Sequence, residues 1–67
     1  MISININNQN YQIAPNTTLD SLLLKINQNT DGIAIAINET IITKATWNKT
    51  MLQEGDAILI IQATQGG

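Results

Sequence analysis

The sequence predicts an α+β domain in which a mixed sheet of four to five strands carries one main helix packed across one face. Thirteen isoleucines dominate the apolar residues, against one Tyr, one Trp and no Phe, and β-branched side chains favour strands. A sheet and a helix together form the two layers that bury an apolar core. Because 67 residues make one domain, we expect residues 1–64 to fold together and residues 65–67 to form a flexible tail.

The first segment has the pattern of a β-hairpin. Ile2, Ile4 and Ile6 alternate with polar residues, which is the period-two pattern of a half-buried strand. Residues 7–10 form a polar turn, and residues 11–13 resume the alternation.

One helix follows. Thr17 and Asp20 have the spacing of a capping box, although Thr18 is an alternative N-cap. The helix is expected to fade through residues 28–30 and to stop before Gly32. The apolar stripe at i, i+3, i+4 and i+7 consists of Leu19, Leu22, Leu23 and Ile26.

The second half of the chain adds further strands. Residues 33–37 alternate Ile with Ala, so the isoleucine face is expected to lie on the core. Residues 40–42 predict a short strand, residues 43–52 fit neither a helix nor a strand, and residues 53–56 predict a turn. The last strand is predicted at residues 57–63, and it can pair in parallel with the first strand at the centre of the sheet.

The last strand is apolar on both faces. Ile58 and Ile60 point to one side, and Leu59 and Ile61 point to the other, whereas a strand with one wet face alternates apolar with polar residues. A second covering layer is hard to build in so short a chain. We therefore predict a docking patch for a partner protein at Leu59 and Ile61.

Composition excludes several function classes. The net charge is −2, with three lysines and no arginine, so no basic stripe is present to bind nucleic acid. No apolar run is long enough to cross a membrane, and the N-terminal residues lack a signal-peptide pattern, so we expect a cytoplasmic protein. Without His or Cys, the chain lacks an ordinary general base, a thiol nucleophile and the usual zinc ligands. We therefore expect neither an enzyme nor a metal site.

Three individual side chains have plain structural interpretations. Trp47 is expected to pack in or near the core rather than to serve as a surface anchor. Glu54 and Asp56 flank Gly55, which indicates a solvated turn rather than a paired-carboxylate site. Asp20 is expected to interact with the helix N-terminus.

The most informative feature is the pair Gly66-Gly67. Glycine adds no side-chain bulk, so such a tail can thread a narrow slot in another protein's active site. Together with residues 35–42, Trp47 and residues 52–60, the pair resembles the ThiS family of sulfur carriers in thiamine biosynthesis, and the resemblance spans essentially the whole sequence. One departure is residues 43–44, a Thr-Lys pair where the family often has Pro-Arg.

The resemblance implies a β-grasp, ubiquitin-like fold and a sulfur-transfer cycle. An ATP-using adenylating enzyme activates the carboxylate of Gly67, and no cofactor is bound by the carrier itself. Sulfur from a cysteine-desulfurase persulfide then converts this carboxylate to a thiocarboxylate, which donates sulfur to thiazole synthase. In this reading Gly66 and Gln65 thread the partner's active site, while Leu59 and Ile61 dock the partner.

Three other functions remain open from the residues. The small subunit of molybdopterin synthase resembles this fold and uses the same thiocarboxylate, although the spacing of Trp47 and Gly55 favours the thiamine branch. A protein-conjugating ubiquitin-like modifier is a further alternative. A plain β-grasp binding module would have no tail chemistry and would tolerate extra residues after Gly67.

Overall fold

The computed structural model describes residues 1–62, which form a five-stranded mixed sheet with one α-helix and one 3₁₀-helix. The predicted α+β architecture is confirmed. Residues 63 and 64 and the predicted tail of residues 65–67 lie outside the described residues. The elements are β1 (Ile2–Ile6), β2 (Gln9–Ile13), α1 (Leu19–Lys25), β3 (Ile33–Ile37), β4 (Thr40–Ile42), the 3₁₀-helix (Lys44–Lys49) and β5 (Ala57–Gln62).

The centre of the sheet is β5. The strand order is β2-β1-β5-β3-β4, and β1 pairs in parallel with β5 with Ile6 opposite Ile58. This confirms the predicted parallel pairing of the first and last strands. On its other side β5 runs antiparallel to β3, from Ile37 opposite Ile58 to Ile33 opposite Gln62.

Both hairpins close through two-residue turns with positive φ at both positions, which is the type I′ geometry that matches the twist of the strands. Asn7 and Asn8 have φ of 49° and 70°, and Asn38 and Glu39 have φ of 50° and 70°. The predicted turn at residues 7–10 is therefore too long, because β2 already begins at Gln9. Asparagine tolerates the left-handed region better than other residues with a side chain.

The α-helix begins near the predicted position but with different capping. Thr18 is the N-cap residue, and its hydroxyl bonds to the side chains of Asp20 and Ser21. The predicted capping box of Thr17 and Asp20 is not formed, because the Thr17 hydroxyl donates to the carbonyl of Ala14 at 2.6 Å. Asp20 instead accepts from the backbone N–H of Ser21 at 2.8 Å, so it does satisfy a donor of the first turn.

The helix ends at Lys25, earlier than the predicted fade through residues 28–30. Asn27 adopts φ of 58°, and its N–H donates to the carbonyl of Leu24 at 3.1 Å. The N–H of Gln28 donates to the carbonyl of Leu23 at 2.9 Å. This pair of bonds is a Schellman ending, with asparagine in the place that glycine usually takes.

Residues 43–52, which the pattern left unassigned, contain the 3₁₀-helix. This helix carries Trp47 into the core, where the side chain is 4% exposed. Its indole N–H donates to the carbonyl of Ile42 at 3.0 Å, so the one polar atom of the ring is satisfied. The expectation that Trp47 packs in the core is confirmed.

The core lies between the inner face of the sheet and the two helices. No helix within residues 1–62 is both long and apolar enough to span a membrane. The inward isoleucines of the strands meet the leucine stripe of α1, as the alternation predicts. The buried cluster consists of Ile4, Ile6, Ile13, Leu19, Leu22, Leu23, Ile35, Ile37, Trp47, Leu52 and Ile58.

Candidate functional site

The face of the sheet that points away from the helices divides into an apolar and a polar half. Outward side chains of β1 and β2 are polar, whereas those of β5, β3 and β4 are apolar, since directly paired residues share a face. We call the apolar half the outer apolar face. It consists of Ala34, Ala36, Ile41, Ala57, Leu59 and Ile61.

The two residues of the predicted docking patch lie on this outer apolar face. Leu59 is 48% exposed and Ile61 is 41% exposed, while Ile58 on the same strand is buried. Residues 1–62 supply no second layer over these side chains. Their role in docking stays a prediction.

Ile41 extends the outer apolar face and was not among the residues predicted for the docking patch. It is 61% exposed and lies opposite Ala36 in the β3–β4 pairing. Leu59 pairs with Ala36 from the other side, so Ala36 lies between Ile41 and Leu59 on this face. The alternation within residues 40–42 is too short to reveal this. One signal could have identified it. The isoleucines of β3 face the core, so a residue of β4 that pairs with an alanine of β3 must face outward, but this requires the register of the two strands.

An open groove of about 520 Å³ lies at the end of the outer apolar face where β1, β3 and β5 meet. Its apolar lining includes Ala36, Ala57 and Leu59. Its polar lining consists of Asn5 and of residues in the two hairpin turns, which include Asn7 and Glu39. The groove is therefore a small apolar recess with a polar rim.

Asn38 holds the wall of this groove in place. Its Nδ2 donates to Oδ1 of Asp56 at 3.0 Å, and its Oδ1 accepts from the N–H of Ala57 at 3.0 Å. The backbone N–H of Asn38 also donates to the carbonyl of Ala57 at 2.8 Å. The second carboxylate oxygen of Asp56 accepts from the N–H of Gln53 at 2.9 Å. The β3–β4 turn is thereby fastened to the start of β5.

The other acidic residue of the 53–56 turn also has a structural role. Oε1 of Glu54 accepts from the N–H of Ser3 at 3.0 Å, and the N–H of Gly55 donates to the carbonyl of Ser3 at 2.7 Å. These contacts agree with a structural turn rather than a paired-carboxylate site. Within residues 1–62, no group of three or more Asp, Glu, His or Cys side chains is arranged to hold a metal ion.

Asn7 supports β5 from the opposite side. The pairing of β1 with β5 stops at Ile58, because β1 then turns into β2. Oδ1 of Asn7 accepts from the N–H of Ile60 at 2.8 Å, one step beyond that pairing. The side-chain oxygen of Asn7 thus takes the place of a backbone carbonyl of β1 as the acceptor. It holds in position the part of β5 that carries Leu59 and Ile61.

The remaining predicted site residues cannot be placed on this framework. Gln65, Gly66 and Gly67 lie outside the described residues, so their threading and sulfur-bearing roles stay predictions. In the sequence, Gly67 follows the last residue of β5 by five positions.

Comparisons with known proteins identify the family of this chain. The ThiS family model matches residues 4–67. The sulfur carrier protein ThiS of Escherichia coli (strain K12) is 36% identical over 66 residues, which cover 98% of this chain and all of that protein. The crystal structure of the thiamine biosynthesis protein ThiS from Geobacter metallireducens matches with a TM-score of 0.87 and 16% identity, covering 98% of this chain and all of that one. The fold is the predicted β-grasp, and the chain belongs to the ThiS family.

Proposed function

We propose that this protein is a sulfur carrier of thiamine biosynthesis and that Gly67 holds the sulfur as a C-terminal thiocarboxylate. The observation that carries the proposal is the outer apolar face on β5 in a ThiS-family chain. Leu59 and Ile61 are half exposed on the strand that precedes the diglycine in sequence. A partner that docks there contacts the strand whose last residue, Gln62, precedes Gly67 by five positions in the sequence.

The chemistry requires outside activation. A free α-carboxyl group has a pKa of about 3.3–3.7 and is an anion at pH 7, hence a poor electrophile. An adenylating enzyme couples it to ATP, releasing pyrophosphate and forming an acyl adenylate. The terminal sulfur of a persulfide, supplied through a cysteine desulfurase, attacks the acyl carbon and AMP leaves. A thiol then cleaves the S–S bond, so the thiocarboxylate remains on Gly67.

The carrier acts in this cycle as a protein substrate and not as an enzyme. The chain contains no Cys and no His. The two acidic residues of the 53–56 turn accept structural hydrogen bonds, Glu54 from the N–H of Ser3 in β1 and Asp56 from the N–H of Gln53. The carrier supplies a rigid docking platform and an accessible acyl group. ATP is bound by the adenylating enzyme, and the carrier needs no cofactor of its own.

The same platform serves two partners in succession. The adenylating enzyme and thiazole synthase each need access to Gly67, so each docks on the outer apolar face in turn. Asn7 and Asn38 hold β5 by side-chain hydrogen bonds. Rigid placement limits the entropy lost on docking.

Intact-mass measurement tests the proposal. The protein is incubated with ATP, the adenylating enzyme of the same organism, a cysteine desulfurase and cysteine. We expect a mass gain equal to the replacement of one oxygen by sulfur, located by fragmentation on Gly67. A variant with one alanine added after Gly67 should not react, whereas the matched control with one alanine added at the N-terminus should react normally. Absence of the gain, with the enzymes active on the Escherichia coli carrier, would refute the proposal.

A second step separates the two thiocarboxylate pathways. The loaded carrier is offered either to thiazole synthase or to the large subunit of molybdopterin synthase. We expect loss of the added sulfur only with thiazole synthase. Transfer to the molybdopterin enzyme alone would replace the thiamine assignment.

A further inference from the structure

Charged residues are distributed unequally between the two layers of the protein. Lys25 lies in α1, and Lys44 and Lys49 lie in the 3₁₀-helix. The five strands contain no basic residue. The five strands therefore bring no side-chain cation to the outer apolar face.

Glu39 is the charged residue that lines the groove at the end of this face. It occupies the second position of the β3–β4 turn with φ of 70°. Type I′ turns favour Asn, Asp and Gly at their central positions, and the equivalent position of the β1–β2 turn is Asn8. Turn geometry alone thus does not account for a glutamate. Backbone conformations of this kind persist in proteins where a function requires them.

Of the other polar side chains that line the groove, Asn7 and Asn38 are hydrogen-bonded within the fold, whereas Asn5 and Asn8 are uncharged amides. Asn7 accepts from Ile60, and Asn38 bonds at both ends of its amide to Asp56 and Ala57. Within residues 1–62, the carboxylate of Glu39 takes no part in this network. It is therefore free to bind a group from outside.

We propose that this groove receives an arginine side chain of the protein that docks on the outer apolar face. The guanidinium pairs with the carboxylate of Glu39, and the aliphatic stem lies on Ala36, Ala57 and Leu59. This inference rests on the proposed docking role of that face and names the chemistry of the partner.

Charge and shape together select this occupant. The apolar lining suits the methylene stem of a long basic side chain, and the carboxylate on the rim suits its charged end. Arginine presents a planar fork of donors that matches a carboxylate in two bonds, whereas lysine is a compact and strongly hydrated charge. This chain contains no arginine, so the occupant belongs to a different protein and not to a second copy.

Adenylation kinetics test the pairing. The variant Glu39→Gln keeps the shape of the side chain and removes its charge. We expect the KM of the adenylating enzyme for the carrier to rise about fivefold at 50 mM salt, the equivalent of about 1 kcal/mol, with kcat unchanged. The difference should shrink at 500 mM salt, because salt screens charge pairs.

The matched control is Glu54→Gln, which removes the same charge from the same end of the sheet. Glutamine retains an oxygen that can accept from Ser3, so the turn is preserved. Its KM should stay within about twofold of the parent value. An equal rise for both variants would indicate an effect of net charge and would overturn the proposal, as would an unchanged KM for Glu39→Gln.

A second measurement does not depend on sulfur chemistry. The protein is titrated with the peptide acetyl-Leu-Arg-Leu-amide, and backbone amide shifts are followed by NMR. We expect shifts centred on Glu39, Ala57 and Leu59 that are lost in Glu39→Gln and when the arginine is replaced by its neutral isostere citrulline. Equal shifts from the two peptides would overturn the proposal. If the carrier is not adenylated at all, the proposed function is refuted. The titration still tests whether the groove binds an arginine side chain.

Discussion

Asn38 offers a sharp test of how the groove and β5 are held together. The change to alanine removes its bonds to Asp56 and to the N–H of Ala57, both 3.0 Å long. Each bond contributes about 0.5–1.5 kcal/mol, and their exposure puts them at the low end, so their joint loss costs about 1–2 kcal/mol. Alanine must also adopt φ of 50°, which adds about 1 kcal/mol. The free energy of unfolding should therefore fall by about 2–3 kcal/mol.

Glycine at the same position separates the two contributions. Asn38→Gly loses both hydrogen bonds but adopts positive φ without steric cost. We expect it to be more stable than Asn38→Ala by about 1 kcal/mol and less stable than the parent. A domain of this length has a total stability of only about 3–10 kcal/mol, so all three proteins should be distinguishable.

Urea denaturation at 25 °C, followed by the fluorescence of Trp47, measures these differences. The probe is buried in the core, so its signal reports global unfolding. The slope of the free energy against urea should stay the same in the three proteins, because the surface exposed on unfolding is unchanged. The reasoning is refuted if Asn38→Ala lies within about 0.5 kcal/mol of the parent, or if glycine is no better than alanine.

Three further changes separate docking from stability. Leu59→Asp should weaken binding to the adenylating enzyme by about tenfold or more in calorimetric titration, with an unfolding free energy within about 1 kcal/mol of the parent; global unfolding of this variant would place Leu59 in the core. Ile58→Ala, one residue away and 3% exposed, should cost about 2–5 kcal/mol in urea denaturation, and a loss smaller than that of Leu59→Asp would contradict the assigned faces. Trp47→Phe loses the hydrogen bond to Ile42 and part of the buried ring, so thermal melting followed by circular dichroism should show a cost of about 1–3 kcal/mol, and an unchanged Tm would contradict it.

Elements with strong periodicity were predictable from the sequence. The leucine stripe of residues 19–26 predicts α1, and the alternation of isoleucine predicts β1 and β3. The parallel pairing of β1 with β5 was also predicted as possible, since the first and last strands are not joined by a turn and can meet at the centre of the sheet. These patterns succeed because burial of one face repeats at the period of the element.

Features set by single backbone conformations were not predictable in the same way. The helix was expected to continue past residue 27, but Asn27 adopts positive φ and ends it with a Schellman pair. Asparagine occurs in helices and in left-handed positions alike, so the sequence alone does not decide between them. The sequence of the 3₁₀-helix shows no hydrophobic periodicity, because Trp47 is its buried residue.

The candidate site was predictable only where it depends on one strand. Leu59 and Ile61 were identified because β5 is apolar at consecutive positions. Ile41 and Glu39 were missed, since their place on the outer face of the sheet depends on the register of β4 against β3 and on the turn between these strands. Register is a property of paired strands, and a one-residue slip would move Ile41 to the inner face.

The central position of β5 explains how a domain of 67 residues can carry a docking surface at all. An apolar strand at the edge of a sheet would expose unpaired backbone groups and invite pairing with other chains. Here the apolar strand lies between β1 and β3, while the polar strand β2 and the three-residue strand β4 occupy the two edges, and a short edge strand exposes few unpaired groups. The inner side chains of β5 stabilise the core while its outer side chains remain available. Substitutions on the two faces of the same strand should therefore act separately, the inner ones on folding and the outer ones on docking.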